Sequence, residues 1–262
     1  MTGPVSSGIG AKSVGVVALI PARMGSSRFP GKPLASLLGK PMIAHVYERV
    51  ARNPLIDKTV VATCDREIAE CIRAAGGHAV MTSERHERAS DRCAEALQIL
   101  EAQDSRRYDI VVMVQGDEPM IDPRMISEAV TPMLGDPSIQ VVNLLGRISS
   151  VAEFEDRNCI KVVCDLGGNA LYLSREPIPT RSKTQAVQMG KQVCVIPFRR
   201  DFLLLYTSLA PTPLEIAESV DMLRVLEHGL RLRMVPTEFD THAVDTPADL
   251  ALVEQLMRSS TG

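Results

Sequence analysis

An apolar run ending at Pro21 leads straight into "ARMGSSRFPGKPL", Ala22 to Leu34, where Arg23, Arg28 and Lys32 are spaced through a loop carrying Gly25, Gly31 and several prolines. Arginine and lysine so spaced supply charge-assisted donors to phosphate oxygens, and glycines let the backbone approach a polyanion closely. The loop matches neither G-x-G-x-x-G nor G-x-x-x-x-G-K-S/T, so a dinucleotide cleft and a kinase-type phosphate loop both fit poorly. It favours a nucleoside triphosphate lying against Pro21, Ala22, Arg23, Gly25, Ser26, Arg28 and Lys32, over the plainer reading of a solvated loop. A second group of polar residues stands in "VQGDEP", with Gln115, Asp117 and Glu118, and a further carboxylate is Asp245 in "VDTP". Two carboxylates that share a shell with phosphates and water suit a hard cation such as Mg²⁺. The competing use of either aspartate is to cap a turn or a helix.

These groups work together only if strands deliver them to one edge. "VGVVALI" is a continuous β-branched run of the kind that fills a strand buried on both faces. "KPMIAHVYERVARN", with Ile43, Val46, Tyr47 and Val50 at helical spacing, predicts a helix. "KTVVAT", "DREIAECIRAAGG", "GHAVMT", "ASDRCAEALQILEAQ" and "DIVVMVQGDEP" then alternate strand and helix. The βαβαβαβ rhythm predicts an α/β fold with a doubly wound, mostly parallel sheet, whose ligand lies beyond the carboxyl ends of the strands. From about Ser138 the rhythm changes: "IQVVNLLGRI", "CIKVVCD", "NALYLSREPIP" and "KQVCVIPF" read as strands, with Gly167-Gly168 as a hairpin signal, and predict an antiparallel insertion. Helices in "PLEIAESVDMLRVLEHG", a strand in "LRMVPTE" and a last helix from "TPADLALVEQLM", with Thr246 as N-cap and Pro247 at its first position, complete the chain. The expected organisation is a small-residue flexible tail over 1–13 and one domain over 14–262, divided into a nucleotide-binding half to 137 and a substrate-binding and dimerisation half from 138.

Composition narrows the functions available. The chain has 262 residues, 45% of them apolar, enough for a substantial core. A net charge of −3 offers no basic field for a nucleic-acid backbone, and the absence of tryptophan argues against base-stacking platforms. Six cysteines show no C-x-x-C and no zinc spacing with histidine, so they read as reduced thiols. No run of ~18 apolar residues and no signal-peptide block is found, which makes a cytoplasmic location, away from membranes, the expectation.

The spacing R-x-G-S-x-R-x-P-G-K-P-L resembles the nucleotide loop of cytidylyltransferases that activate acidic sugars, most nearly the 3-deoxy-manno-octulosonate (Kdo) cytidylyltransferases. "GKPMIAHVYERV", "VATCD", "VVMVQGDEPMIDP", "ALYLSREPIP", "TPLEIAESVDMLRVLEHG" and "AVDTPADL" continue the likeness, which covers roughly Val16 to Met257. The resemblance implies a Mg²⁺-dependent, homodimeric enzyme of lipopolysaccharide biosynthesis that joins CTP to Kdo or a close analogue and releases pyrophosphate. It implies that Arg23, Lys32, Asp117 and Asp245 form the catalytic set, with Asp117 and Asp245 holding the metal. It further implies that Ser90, Arg92 and Gln115 contact the base, and that Arg175, Gln192, Glu215 and Glu218 contact the sugar acid, with Arg175 forking onto its carboxylate. Two departures stand out. Arg88-Ala89 replaces a Ser-Gly pair, and "KQVCVIPF" puts Gln192 and Ile196 where the family has histidine and tyrosine. The first touches base recognition, and the second admits a modified Kdo or another ulosonic acid. A nucleotide-sensing domain without turnover, and a transferase for neutral sugar phosphates using UTP or GTP, are the rival classes.

Overall fold

The computed structural model describes residues 14–26, 28–183 and 189–259; the tail over 1–13 lies outside them. In chain order the first part carries β1 (Val16–Ala22), β2 (Ser36–Leu37), β3 (Lys40–Pro41), α1 (Met42–Ala51), β4 (Lys58–Thr63), α2 (Arg66–Ala74), β5 (His78–Met81), α3 (Ala89–Asp104), β6 (Ile110–Val114) and α4 (Pro123–Gly135). It continues with β7 (Val142–Arg147), α5 (Val151–Glu155), β8 (Lys161–Cys164), β9 (Ala170–Ser174), β10 (Gly190–Val193), β11 (Val195–Arg199), α6 (Arg200–Ser208), α7 (Pro213–Glu218), α8 (Leu223–Glu227), β12 (Arg233–Pro236) and α9 (Pro247–Ser259).

All seven residues of β1 are buried because both faces of the first sheet are covered. Val16, Ala18 and Ile20 pack with Ile43, Val46 and Val50 of α1, Ile68 and Ile72 of α2, and the apolar face of α4. Val17 and Leu19 point the other way, into a cluster with Cys93 and Leu97 of α3 and Phe202 and Leu203 of α6. The period of two along one strand thus feeds two cores, the physical content of a doubly wound sheet. Its order is β11-β6-β1-β4-β5, parallel except for β11.

The α/β expectation therefore holds, and the antiparallel part is more elaborate than one insertion. A second five-stranded sheet runs β12-β7-β10-β8-β9. Its β8–β9 hairpin closes with the Gly168 amide donating to the Asp165 carbonyl at 3.1 Å. "KQVCVIPF", expected as one strand, is two: β10 pairs with β7 and β8 in the second sheet, and after Cys194 β11 crosses to pair antiparallel with β6 in the first. α4 was not anticipated, although Asp122 caps it by accepting from the Arg124 amide at 2.8 Å and Pro123 occupies its first turn. At the C-terminal end, Val244, Val253 and Met257 close a small cluster with Leu37 of β2 and Met42 of α1. That cluster draws the last loop back to the first. Among the described residues no helix is long and apolar enough to cross a membrane.

Candidate active site

β1 and β6 are adjacent parallel strands, so their carboxyl ends, Pro21-Ala22 and Gln115-Gly116-Asp117, open side by side. A Cβ at Gly116 would lie 2.8 Å from the Pro21 carbonyl oxygen, so only glycine allows the two strand ends this close. Between them is an open cleft of about 430 Å³. The loop after β1 folds back on itself, the Ser26 and Gly31 amides both donating to the Met24 carbonyl at 2.9 and 3.1 Å. Gly31 has φ +74°, a left-handed conformation that turns the chain into the short 3₁₀ turn Lys32–Leu34. Arg23, Gly25, Ser26, Arg28 and Lys32 consequently line the same cleft as Pro21, Ala22, Gln115 and Asp117.

Lys32 is the buried member of this group, and its Nζ stands 2.8 Å from Asp117 Oδ2 and 3.4 Å from Asp245 Oδ1. Arg28 Nη2 reaches the same Asp245 oxygen at 3.0 Å. Asp245 arrives from more than two hundred positions away because Val244 is buried in the C-terminal cluster and its amide donates to the Asp117 carbonyl at 2.9 Å. The turn is held by Asp249, whose Oδ2 accepts from the Asp245 and Thr246 amides at 3.0 and 2.7 Å. Two carboxylates that meet one ammonium lie close enough to share one cation. Among the described residues no group of three or more potential ligands forms, so a divalent ion here would complete its shell with phosphate oxygens and water, as Mg²⁺ commonly does. The donor chemistry fits. Next door, Glu118 is buried and its Oε2 finds no hydrogen-bond partner among the described residues; burial and then the Asp117 charge push its carboxyl up to about 8.

The wall opposite the loop comes from the start of α3. Arg92, expected against the base or on the helix surface, is buried and lines the cleft, donating to Thr82 Oγ1 at 2.6 Å and to the Ser83 and His86 carbonyls at 3.3 and 3.2 Å. It holds the 82–86 segment in shape from within. Ser90 does not line the cleft. Ala89 and Arg92, three apart, share the cleft face, whereas Ser90 is fully buried on the side of Cys93, Ala94 and Leu97. Sequence reasoning left out several cleft residues, His86, Glu87 and Arg88 among them. Arg88 donates to Asp221 at 2.7 Å, tying α3 to the loop before α8, while burial raises the Asp221 carboxyl. Its signal was present as the Arg88-Ala89 departure itself.

None of the four residues expected to meet the sugar acid lines this cleft. Arg175 spends its guanidinium on main-chain carbonyls: Nε on Glu218 at 2.6 Å, Nη1 on Arg157 at 2.9 Å and Nη2 on Ser219 at 3.4 Å. Glu218 accepts from Tyr172 Oη, Ser174 Oγ and the Arg175 amide at 3.1, 2.8 and 2.8 Å. Glu215 is fully buried in a forked pair with Arg224, at 2.6 and 2.8 Å. Gln192 Nε2 donates to Asn143 Oδ1 at 2.7 Å, and Ile196 is core. Each of these polar groups thus has an internal partner between elements, as buried polar groups generally do.

A cytidylyltransferase family model matches residues 17–233, spanning both sheets. A curated 3-deoxy-manno-octulosonate cytidylyltransferase from Geobacter metallireducens is 47% identical over 93% of this chain and 98% of its own length. The chain belongs to this family. One from Trichlorobacter lovleyi is 45% identical over 93% and 98%. The solved structure of a CMP:2-keto-3-deoxy-manno-octonic acid synthetase complexed with CTP is 39% identical, covers 94% of this chain and 99% of that one, and superposes with a TM-score of 0.85. Family membership thus agrees with the motifs, and the cleft at the β1 and β6 ends is the part of the fold that those motifs build.

Proposed function

We propose that this protein is a Mg²⁺-dependent cytidylyltransferase that couples CTP to Kdo or a close 2-keto-3-deoxy sugar acid, giving the CMP-sugar and pyrophosphate. The observation that carries the reading is the meeting of Arg28 and Lys32, which line the cleft, with Asp117 and Asp245. The sugar acid's 2-hydroxyl oxygen bonds to the α-phosphorus as the bond to the pyrophosphate oxygen breaks, and the hydroxyl proton passes to solvent. Little covalent work is asked of the protein, so positioning and charge supply the rate. Arg23, Arg28 and Lys32 orient the triphosphate and take up charge that builds on the departing pyrophosphate. Asp117 and Asp245 are the residues that would hold Mg²⁺, which when bound makes the hydroxyl more acidic and neutralises phosphate charge. Gln115 and the α3 wall, shaped from inside by Arg92, accommodate the cytosine.

A dimeric, cytoplasmic enzyme acting in lipopolysaccharide assembly belongs to the same reading, supported by the family's resemblance and by six cysteines that are unpaired. Mixing the protein with Mg²⁺, Kdo and each of the four ribonucleoside triphosphates tests it: pyrophosphate should appear with CTP alone, and mass spectrometry should find CMP-Kdo. Turnover with UTP or GTP and a sugar phosphate, or CTP binding without release of pyrophosphate, would overturn it.

A further inference from the structure

Two of the three loop cations, Lys32 and Arg28, meet the carboxylates assigned to the metal. Lys32 Nζ bridges Asp117 and Asp245 at 2.8 and 3.4 Å, and Arg28 Nη2 meets Asp245 at 3.0 Å. Within this group of four, two positive and two negative charges cancel, so the carboxylates as they stand hold a dication weakly. Lys32 is buried at 9% exposure, which leaves a second cation little room beside it. A metal entering between the carboxylates must displace the ammonium, and an ammonium leaving its carboxylates must find other anions.

We propose that Lys32 is a resident counter-ion that exchanges partners on loading: divalent metal takes its place between Asp117 and Asp245, and the released Lys32 and Arg28 turn to the triphosphate. This rests on the metal assignment made above. Neither exchange is favourable alone. Metal by itself leaves two cations unpaired in a partly buried cleft, and nucleotide by itself leaves two carboxylates facing phosphate oxygens. Bound together, each ligand satisfies what the other uncovers. Metal and nucleotide therefore bind with positive coupling, and each must raise the other's affinity by the same factor. The device keeps the carboxylates from binding free metal and couples metal capture to arrival of the nucleotide.

The test reads metal binding and needs no turnover. Mn²⁺ titrated into nucleotide-free protein, followed by electron paramagnetic resonance of the free ion, should bind weakly to the parent and at least about tenfold more tightly to Lys32→Met, because the competing ammonium is gone. Arg28→Ala, whose side chain is more exposed, should show a smaller gain in the same sense and serves if Lys32→Met folds poorly. Adding Asp117→Asn to Lys32→Met should abolish the gain. If both single variants are folded and bind Mn²⁺ no more tightly than the parent, the exchange does not occur. The metal assignment is tested apart, with Mn²⁺–CTP followed by water-proton relaxation: loss of the bound signal in Asp117→Asn supports it, and an unchanged signal overturns it whatever Lys32 does.

Discussion

In the proposed reaction Lys32 and Arg28, which meet carboxylates in the folded cleft, would also meet phosphates, and this shapes what single substitutions should do. Charge-assisted contacts to the outer phosphates contribute roughly 1.5–3 kcal/mol each. Arg28→Ala should therefore weaken CTP more than CMP, by at least about tenfold in the ratio of affinities from calorimetry. Equal losses would mean that Arg28 shapes the loop without touching pyrophosphate oxygens. Asp117→Asn and Asp245→Asn should each lower turnover at least ~100-fold, the order lost when one strong electrostatic contributor to a transition state is removed. Both side chains stand at the cleft mouth, so the circular dichroism melt of either variant should stay near that of the parent. At this scale much was readable in advance. Arg23, Gly25, Ser26, Arg28, Lys32, Gln115 and Asp117 all line the cleft, because residues in one tight loop or at one strand end travel together.

Among the elements, the residues expected at the sugar acid are polar groups that bridge neighbours. Arg224 and Glu215 form a buried fork between α7 and α8. Removing one member leaves the other charged and unpaired, a loss of roughly 3–5 kcal/mol. Glu215→Ala should lower the urea midpoint accordingly with little change in slope, and in the surviving folded fraction the KM for the sugar acid should be unaffected. A raised KM with parental stability would return Glu215 to the substrate. Arg175→Lys follows the same logic: one ammonium cannot span the carbonyls of Arg157, Glu218 and Ser219, so the thermal midpoint should fall by several degrees while the KM for CTP holds. Periodicity marked the strands and most helices, yet it could not show that Arg175, Glu215 and Glu218 find each other's elements first. The split of "KQVCVIPF" at Cys194 was equally hidden, since one apolar run can serve two sheets as well as one.

At the scale of the whole molecule, Asp245 reaches the cleft only because α9 packs against the hairpin that follows the phosphate loop. Full burial of one valine contributes roughly 1.5–3 kcal/mol, so a handful of apolar contacts holds the second carboxylate in place. Val253→Ala should lower turnover several-fold in the parent and add almost nothing in the Asp245→Asn background, the mark of residues acting through one another. Fully additive losses would separate α9 from the site.

What the amino-acid sequence determined by itself is the local part of this enzyme: buried strands from β-branched runs, helices from their apolar spacing, and a cationic, glycine-bearing turn after β1. Each depends on neighbours a few residues away, whose geometry is set by the backbone period. The family motifs also named Asp117 and Asp245 as partners. Only the tertiary structure decided that Lys32 stands between them, that Arg92 braces the cleft wall at the start of α3 from inside, and that Arg175, Glu215 and Glu218 have partners within the fold. The reason is that a side chain's role depends on which polar groups lie within about 3 Å of it, and for buried groups that is settled by long-range packing.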